Sequence, residues 1–136
     1  MPSDPDAADA RLRDDEVLWL TTVNDRGQPQ SSPVWFHWDG TDALVLSRPA
    51  APKVANIAGH PAVSLHLNGG GPGTLVVSIE ATAGREARVS ESRRSAYADK
   101  YRDGIARLGT DARSYFDEFS VAIVARPQRV RRFGTT

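Results

Sequence analysis

The 136-residue chain has 17 basic and 17 acidic residues, 40% hydrophobic residues and no cysteine. That length suits one domain spanning residues 1–136. The balanced charge argues against a broad nucleic-acid or membrane surface, and the lack of cysteine excludes disulfides, thiolate metal sites and a thiol nucleophile. No apolar run approaches the ~20 residues of a membrane-spanning helix, and the acidic, polar start is unlike a signal peptide, so a cytoplasmic protein is expected.

Residues 1–6 read as a disordered lead-in and 7–16 as a short helix with Leu12 on its apolar side. "VLWLTTV" is rich in β-branched and aromatic residues and predicts a strand, which "NDRG" ends in a turn. "QPQSSPVWFHW" resumes as a second strand, with Val34, Phe36 and Trp38 on one face and Pro33 and Trp35 on the other. Its prolines predict an edge or bulged strand. "ALVLS" and "AVSLHL" follow as strands on either side of a helix at 52–59. "NGGGPG" reads as a flexible loop. "TLVVSIEATAGREARVS" predicts a long strand or a bent pair kinked at Gly84. Residues 91–109 and 111–119 read as helical, with Ser90 as a cap for the first piece and Tyr97, Tyr101, Ile105 and Leu108 at helical spacing. "SVAIVARPQRVRRFG" predicts two strands joined at Arg126 and Pro127. Strands dominate without βαβ alternation, so the expected fold is a small antiparallel β-barrel with peripheral helices.

One helix start is chemically odd. Pro52 suits the first helical position and Gly59 the end. The preceding Ala50 and Ala51 are poor caps, and Lys53 puts a cation at the positive end of the helix dipole. Fifteen of the 17 basic residues are arginine, so Lys53 and Lys100 stand out. An anion bound at the helix start explains both features, because it satisfies free N–H groups and favours a nearby lysine. Ser47 and Arg48 lie just upstream and add a hydroxyl and a guanidinium. A phosphate or carboxylate pocket of Ser47, Arg48, Pro52 and Lys53 is therefore expected. Asn56, one turn on, lies beside it or faces solvent as a surface amide.

The aromatic strand offers a second element. Phe36 and Trp38 are expected inside, whereas Trp35 points outward as a ligand or dimer contact. His37 is expected to face solvent or an interface, and His66 a pocket or the structure around it. The three histidines lack metal-ligand spacing, so no metal site is expected. No residue is assignable as a general acid or nucleophile, so any catalysis would come from an organic cofactor.

Taken in order, "DRGQP", "PVWF", "SRP" and K-x-x-N resemble the pyridoxamine-phosphate-oxidase-like split-barrel family, and more narrowly its actinobacterial branch using coenzyme F420. The resemblance covers about residues 12–133. It implies a six-stranded antiparallel split β-barrel and a homodimer with cofactor sites at the interface. It also implies that Ser32, Pro33, Val34, Trp35 and Phe36 run along the cofactor ring, while Ser47, Arg48 and Lys53 hold its phosphate near Asn56. The chain lacks the Arg-x-His motif of true pyridoxamine-phosphate oxidases near its C-terminus. It also has "QSS" where flavin members often place an arginine. The expected function is F420-dependent reduction of a small organic substrate. The alternatives are an FMN oxidoreductase of the same fold and a non-catalytic carrier of F420, flavin or haem.

Overall fold

The computed structural model describes residues 5–69 and 74–134. Helix α1 (Pro5–Asp14) precedes strands β1 (Leu18–Val23), β2 (Pro29–Val34), β3 (His37–Trp38) and β4 (Ala43–Ser47). Helix α2 (Pro52–Gly59) leads into β5 (Ala62–Leu67) and β6 (Leu75–Glu86). Helices α3 (Glu91–Lys100), α4 (Arg102–Arg107) and α5 (Ala112–Glu118) precede the last strand, β7 (Val121–Gly134). Among the described residues, no helix is long and apolar enough to cross a membrane.

All seven strands form one antiparallel sheet in the order β2-β1-β5-β6-β7-β4-β3. A flat sheet of this width would hold its edges ~29 Å apart at ~4.8 Å per strand. Its edge strands β2 and β3 are nevertheless joined by Trp35 and Phe36 alone. Three virtual bonds reach at most ~11 Å, so the sheet must curl until its edges approach. This is the expected split barrel, with one strand more than the six anticipated. The extra strand arises because the chain breaks at Trp35 and Phe36, so "QPQSSPVWFHW" becomes β2 and the two-residue β3.

The seam is held from outside by two neighbouring residues, Tyr101 and Lys100. The Tyr101 hydroxyl accepts the Phe36 N–H at 2.8 Å and lies within donor distance of the Phe36 and Glu16 carbonyls, at 2.9 and 2.8 Å. Lys100 Nζ also donates to the Phe36 carbonyl, at 3.0 Å, and sits 3.9 Å from the centroid of the Phe36 ring. Partial burial lowers the Lys100 pKa to about 8, despite opposing attraction from Asp15, Asp14 and Glu16.

Two cores share the sheet. Leu18, Leu20, Phe36, Val45, Leu65, Val77, Ile79 and Ile123 fill the barrel interior. Ala8 and Leu12 of α1 join that cluster, as does Ile57 of α2. Outside it, Leu44 of β4 and Ala122 and Val124 of β7 pack under Tyr97, Tyr101, Ile105 and Tyr115. β4 and β7 are thus covered on both faces, which explains the unbroken apolar runs "ALVL" and "VAIVA".

Several boundaries differ from expectation. Pro5 and Asp6 already belong to α1 rather than to a lead-in. Positions 1–4, and most of the "NGGGPG" loop, lie outside the described residues. β6 runs unbroken through Gly84, and the register shift falls between Glu80 and Ala81. β7 is one strand rather than two. Pro127 interrupts only its ladder, because Ala81 pairs with Pro127 and Glu80 with Arg129, leaving Gln128 as the extra bulge residue.

Replacing Tyr101 with phenylalanine leaves the Phe36 N–H buried without a partner. We expect Tyr101→Phe to lose about 1–3 kcal/mol in urea unfolding. A loss below about 0.5 kcal/mol would show that the hydroxyl does not hold the seam.

Candidate functional site

Where the seam meets the ends of β4 and α5 and the start of α2, a cleft of about 240 Å³ opens. Pro33, Val34 and Trp35 come from β2 and the seam, Ser47 and Arg48 from the end of β4, and Ala51 and Lys53 from the start of α2. Leu46, Leu108, Tyr115 and Phe119 complete the lining.

The α2 start has the anticipated form. Ala51 is its N-cap, with no side-chain cap, Pro52 follows it, and no acid lies in the first turn. Fewer backbone donors are free than a generic helix start offers. Pro52 has no N–H, and the Val54 N–H returns to the Ala51 carbonyl at 3.0 Å. The Lys53 N–H remains. The Lys53 side chain is half-buried, and among the described residues it has no hydrogen-bond or ion-pair partner. Desolvation holds its pKa below the ordinary lysine range.

Ser47 is buried, and its hydroxyl donates to the Arg48 carbonyl at 3.0 Å. Arg48 stacks over the Phe119 ring at 4.7 Å and pairs with Glu118 at 2.9 Å. Only its Nε and one terminal nitrogen contact Glu118, which leaves Nη1 available to an anion. Both partners are more than half exposed, so the pair is weak and open to competition.

Trp35 is the aromatic wall. Its ring stacks on Tyr101 at 4.5 Å and 4°, and on Tyr115 at 5.6 Å. Gly104 of α4 makes this packing possible, because a Cβ there would lie 2.8 Å from the edge of the indole. Tyr115 stacks in turn on Phe119 at 4.4 Å. Burial raises the pKa of the Tyr115 phenol, and its hydroxyl bonds that of Tyr97 at 2.9 Å.

The structure therefore brings Pro33, Val34, Trp35, Ser47, Arg48 and Lys53 together around one cleft. Ser32, Phe36, Pro52 and Asn56 do not line it. Phe36 is fully buried in the barrel interior, as alternation from Val34 requires. Ser32 pairs with Leu20 across the β1–β2 ladder. Asn56 is neither a surface amide nor on the cleft wall. It is buried, and its Nδ2 donates to Thr22 Oγ1 at 3.0 Å and Gln30 Oε1 at 2.8 Å. Its role in the fold is to pin α2 to β1 and β2.

His37 is half-buried, and its Nδ1 accepts from Arg93 Nε at 3.1 Å, beside the Arg93–Asp42 ion pair at 2.7 Å. Burial and the nearby guanidinium lower its pKa. His66 stacks on Trp19, with ring centroids 6.2 Å apart. Among the described residues no group of His, Cys, Asp and Glu side chains could hold a metal ion. The sequence reading missed Tyr115 and Phe119. Their i,i+4 spacing in "SYFDEF" was the available signal, but nothing local showed which surface that helix face would meet.

Residues 4–133 match the family described as pyridoxamine 5'-phosphate oxidase. Among solved structures, a candidate pyridoxamine 5'-phosphate oxidase from Listeria innocua is 22% identical with a TM-score of 0.71, covering 96% of this chain and 98% of its own. A structure named F420 reductase is 21% identical with a TM-score of 0.71, covering 90% of this chain and 94% of its own. A heme binding protein from Mycobacterium smegmatis is 21% identical with a TM-score of 0.72, covering 97% of this chain but 55% of its own. At these identities the likeness is one of fold. A search of curated proteins finds no match.

Asn56→Ala should cost about 1–3 kcal/mol in stability by orphaning buried polar groups, while leaving affinity for a phosphate-bearing ligand within about twofold. If the variant kept its stability and lost that affinity, Asn56 would belong to the cleft after all.

Proposed function

The chain belongs to the pyridoxamine 5'-phosphate oxidase family, and we propose that it binds coenzyme F420 in this cleft and reduces a small organic substrate. The observation that carries the reading is Lys53. A half-buried cation without an acidic partner, at an uncapped helix start, is unfavourable until an anion offsets it. The rest of the lining fits such a ligand, since the cleft has an aromatic wall, two cations and no carboxylate. The name of one structural neighbour, F420 reductase, agrees with this reading.

In this reading the Lys53 ammonium, its backbone N–H and Arg48 Nη1 hold the phosphate. Val34, Trp35, Tyr115 and Phe119 flank the ring system and exclude water from it. Asn56 takes no part in holding the ligand, since its amide is committed to Thr22 and Gln30. When bound, the reduced deazaflavin supplies a hydride.

FMN is the competing ligand, because it shares a planar ring and a phosphate. "QSS" on β2, where flavin members often carry an arginine, favours F420 over it. A haem carrier is disfavoured, since none of His37, His60 and His66 lines the cleft.

Titration of the cofactor-free protein with F420 and with FMN tests the assignment. We expect tighter F420 binding, weakened about 10–100-fold by Lys53→Ala. Because an anion favours protonated Lys53, wild-type affinity should fall as pH rises through the lowered lysine pKa, and the variant should lose that dependence. Preference for FMN would transfer the protein to flavin chemistry. Binding of neither would sink the proposal.

We also propose a homodimer. Trp19 lies opposite Pro33 of the edge strand β2, and Leu108 and Phe133 are 60% and 50% exposed. A second copy covering these apolar side chains accounts for their exposure. Light scattering at micromolar concentration should give twice the chain mass, and a monomer would refute it.

A further inference from the structure

Gly104 is an anomaly in its own helix. It lies in the middle of α4, where glycine is a poor helix former. Its backbone does not ask for glycine. Among the described residues, positive φ angles occur at Gly27, Gly40 and Gly109, at 77°, 96° and 76°, and Gly104 is not among them. Space asks for it instead. A Cβ at Gly104 would lie 2.8 Å from Cη2 and 3.0 Å from Cζ2 of Trp35. No other described glycine of ordinary φ would bring a Cβ within 3.4 Å of a neighbour.

The backbone at Gly104 has little room to retreat. One turn earlier, Tyr101 is tied through its hydroxyl to Phe36 and Glu16, and Ile105 follows it, buried among the outer-core residues. The indole cannot yield toward Tyr101 either, because that ring is stacked on it at 4.5 Å. The open space beside the indole is the cleft, which it lines together with Tyr115 and Phe119. A side chain at position 104 therefore turns the indole into the cleft. Carbon atoms pack at about 3.5–4.0 Å, so the ring edge must move by about 1 Å. A planar ring system beside Trp35 needs about 3.5 Å of clearance from each wall, and an advance of that size takes away its place.

We propose that Gly104 is a positioning residue for ligand specificity, which acts through Trp35 to keep the cleft wide enough for a fused, planar ring system. The proposal rests on the cofactor reading for the identity of the ring, but not for the position of the indole. Two parts of the cleft then act on two parts of the ligand. Lys53 and Arg48, from the start of α2 and the end of β4, act on its anionic group. Gly104, from α4, sets the clearance at the aromatic wall. A side chain at position 104 weakens a ligand through its ring and leaves its response to charge intact, because the two effects have no shared partner.

The test is a double-mutant cycle on the full chain, with Gly104→Ala, Trp35→Phe and the two combined. Phenylalanine lacks the outer indole atoms that a Cβ at position 104 would meet. In calorimetric titration we expect Gly104→Ala alone to weaken F420 at least tenfold. In the Trp35→Phe background the same change should alter affinity less than about twofold. The affinity of Gly104→Ala should still fall as pH rises, because Lys53 is untouched. Thermal melting gives a readout without ligand. Alanine should raise the melting temperature in the Trp35→Phe background, as helix propensity dictates, and should not raise it in the wild-type background. Fluorine NMR of protein labelled with fluorotryptophan follows the indole directly. The chain has three tryptophans, and the Trp35 signal is the one lost in Trp35→Phe. It should shift in Gly104→Ala while the other two hold. If wild-type protein binds neither F420 nor FMN but the Trp35 signal shifts and the melting cycle holds, the cofactor reading fails and the positioning of Trp35 by Gly104 stands. If the Trp35 signal does not shift, if alanine is equally stabilising in both backgrounds, or if F420 binds Gly104→Ala as tightly as wild type, the proposal is overturned. It is also overturned if Gly104→Ala weakens F420 equally with and without Trp35.

Discussion

The hydroxyl of Tyr101 reaches from the helical layer to the backbone of Phe36, at the point where the two edges of the sheet must meet. Two residues cannot span a flat seven-stranded sheet, so curling is obligatory once β2 and β3 occupy opposite edges. Backbone groups at such a sharp passage cannot all find ladder partners, and buried ones must be satisfied elsewhere. Tyr101 and Lys100 supply that satisfaction for Phe36. The seam therefore ties the helices α3 and α4 to the barrel, and the aromatic cleft is a consequence of that tie.

Trp35 illustrates the coupling. Alternation sends Phe36 inward to the barrel and Trp35 outward under the helices, so one dipeptide anchors both cores. Its indole is fixed by Tyr101 on one side and by the close approach of Gly104 at its edge. A wall built this way is stiff, because its aromatic neighbours are themselves buried and stacked. The same residues that close the fold thus shape the cleft, and cleft geometry should be robust to changes on the exposed loops.

The electrostatics follow a different logic. Lys53 sits at the start of α2, which Asn56 pins to Thr22 and Gln30. Arg48 reaches the cleft from β4 but is shared with Glu118 of α5. One cation is thus positioned without a partner, and the other is held by a carboxylate that solvent screens. An anion entering the cleft meets no fixed negative charge on the Lys53 wall. That asymmetry directs an anion to the Lys53 side of the cleft.

By itself, the sequence determined the local features whose cause is local. Alternation put Phe36 and Trp38 inside, and the unbroken run "ALVL" gave β4. Pro52, Ala51 and Gly59 bounded α2, and Ser90 capped α3. The anomaly at Lys53 was legible because capping and dipole effects act within one turn. Tertiary structure decided what depends on distant partners. Asn56 looked like a cleft or surface residue until Thr22 and Gln30, 34 and 26 positions away, claimed its amide. His37 gained a partner that spacing could not show, Arg93, 56 positions away. The expected kink at Gly84 gave way to a bulge opposite Pro127, because register is set by the partner strand. Tyr115 and Phe119 entered the cleft only when the two-residue seam brought α5 against β4. Spacing along the chain encodes which face a side chain takes, whereas only the closed barrel determines what that face meets.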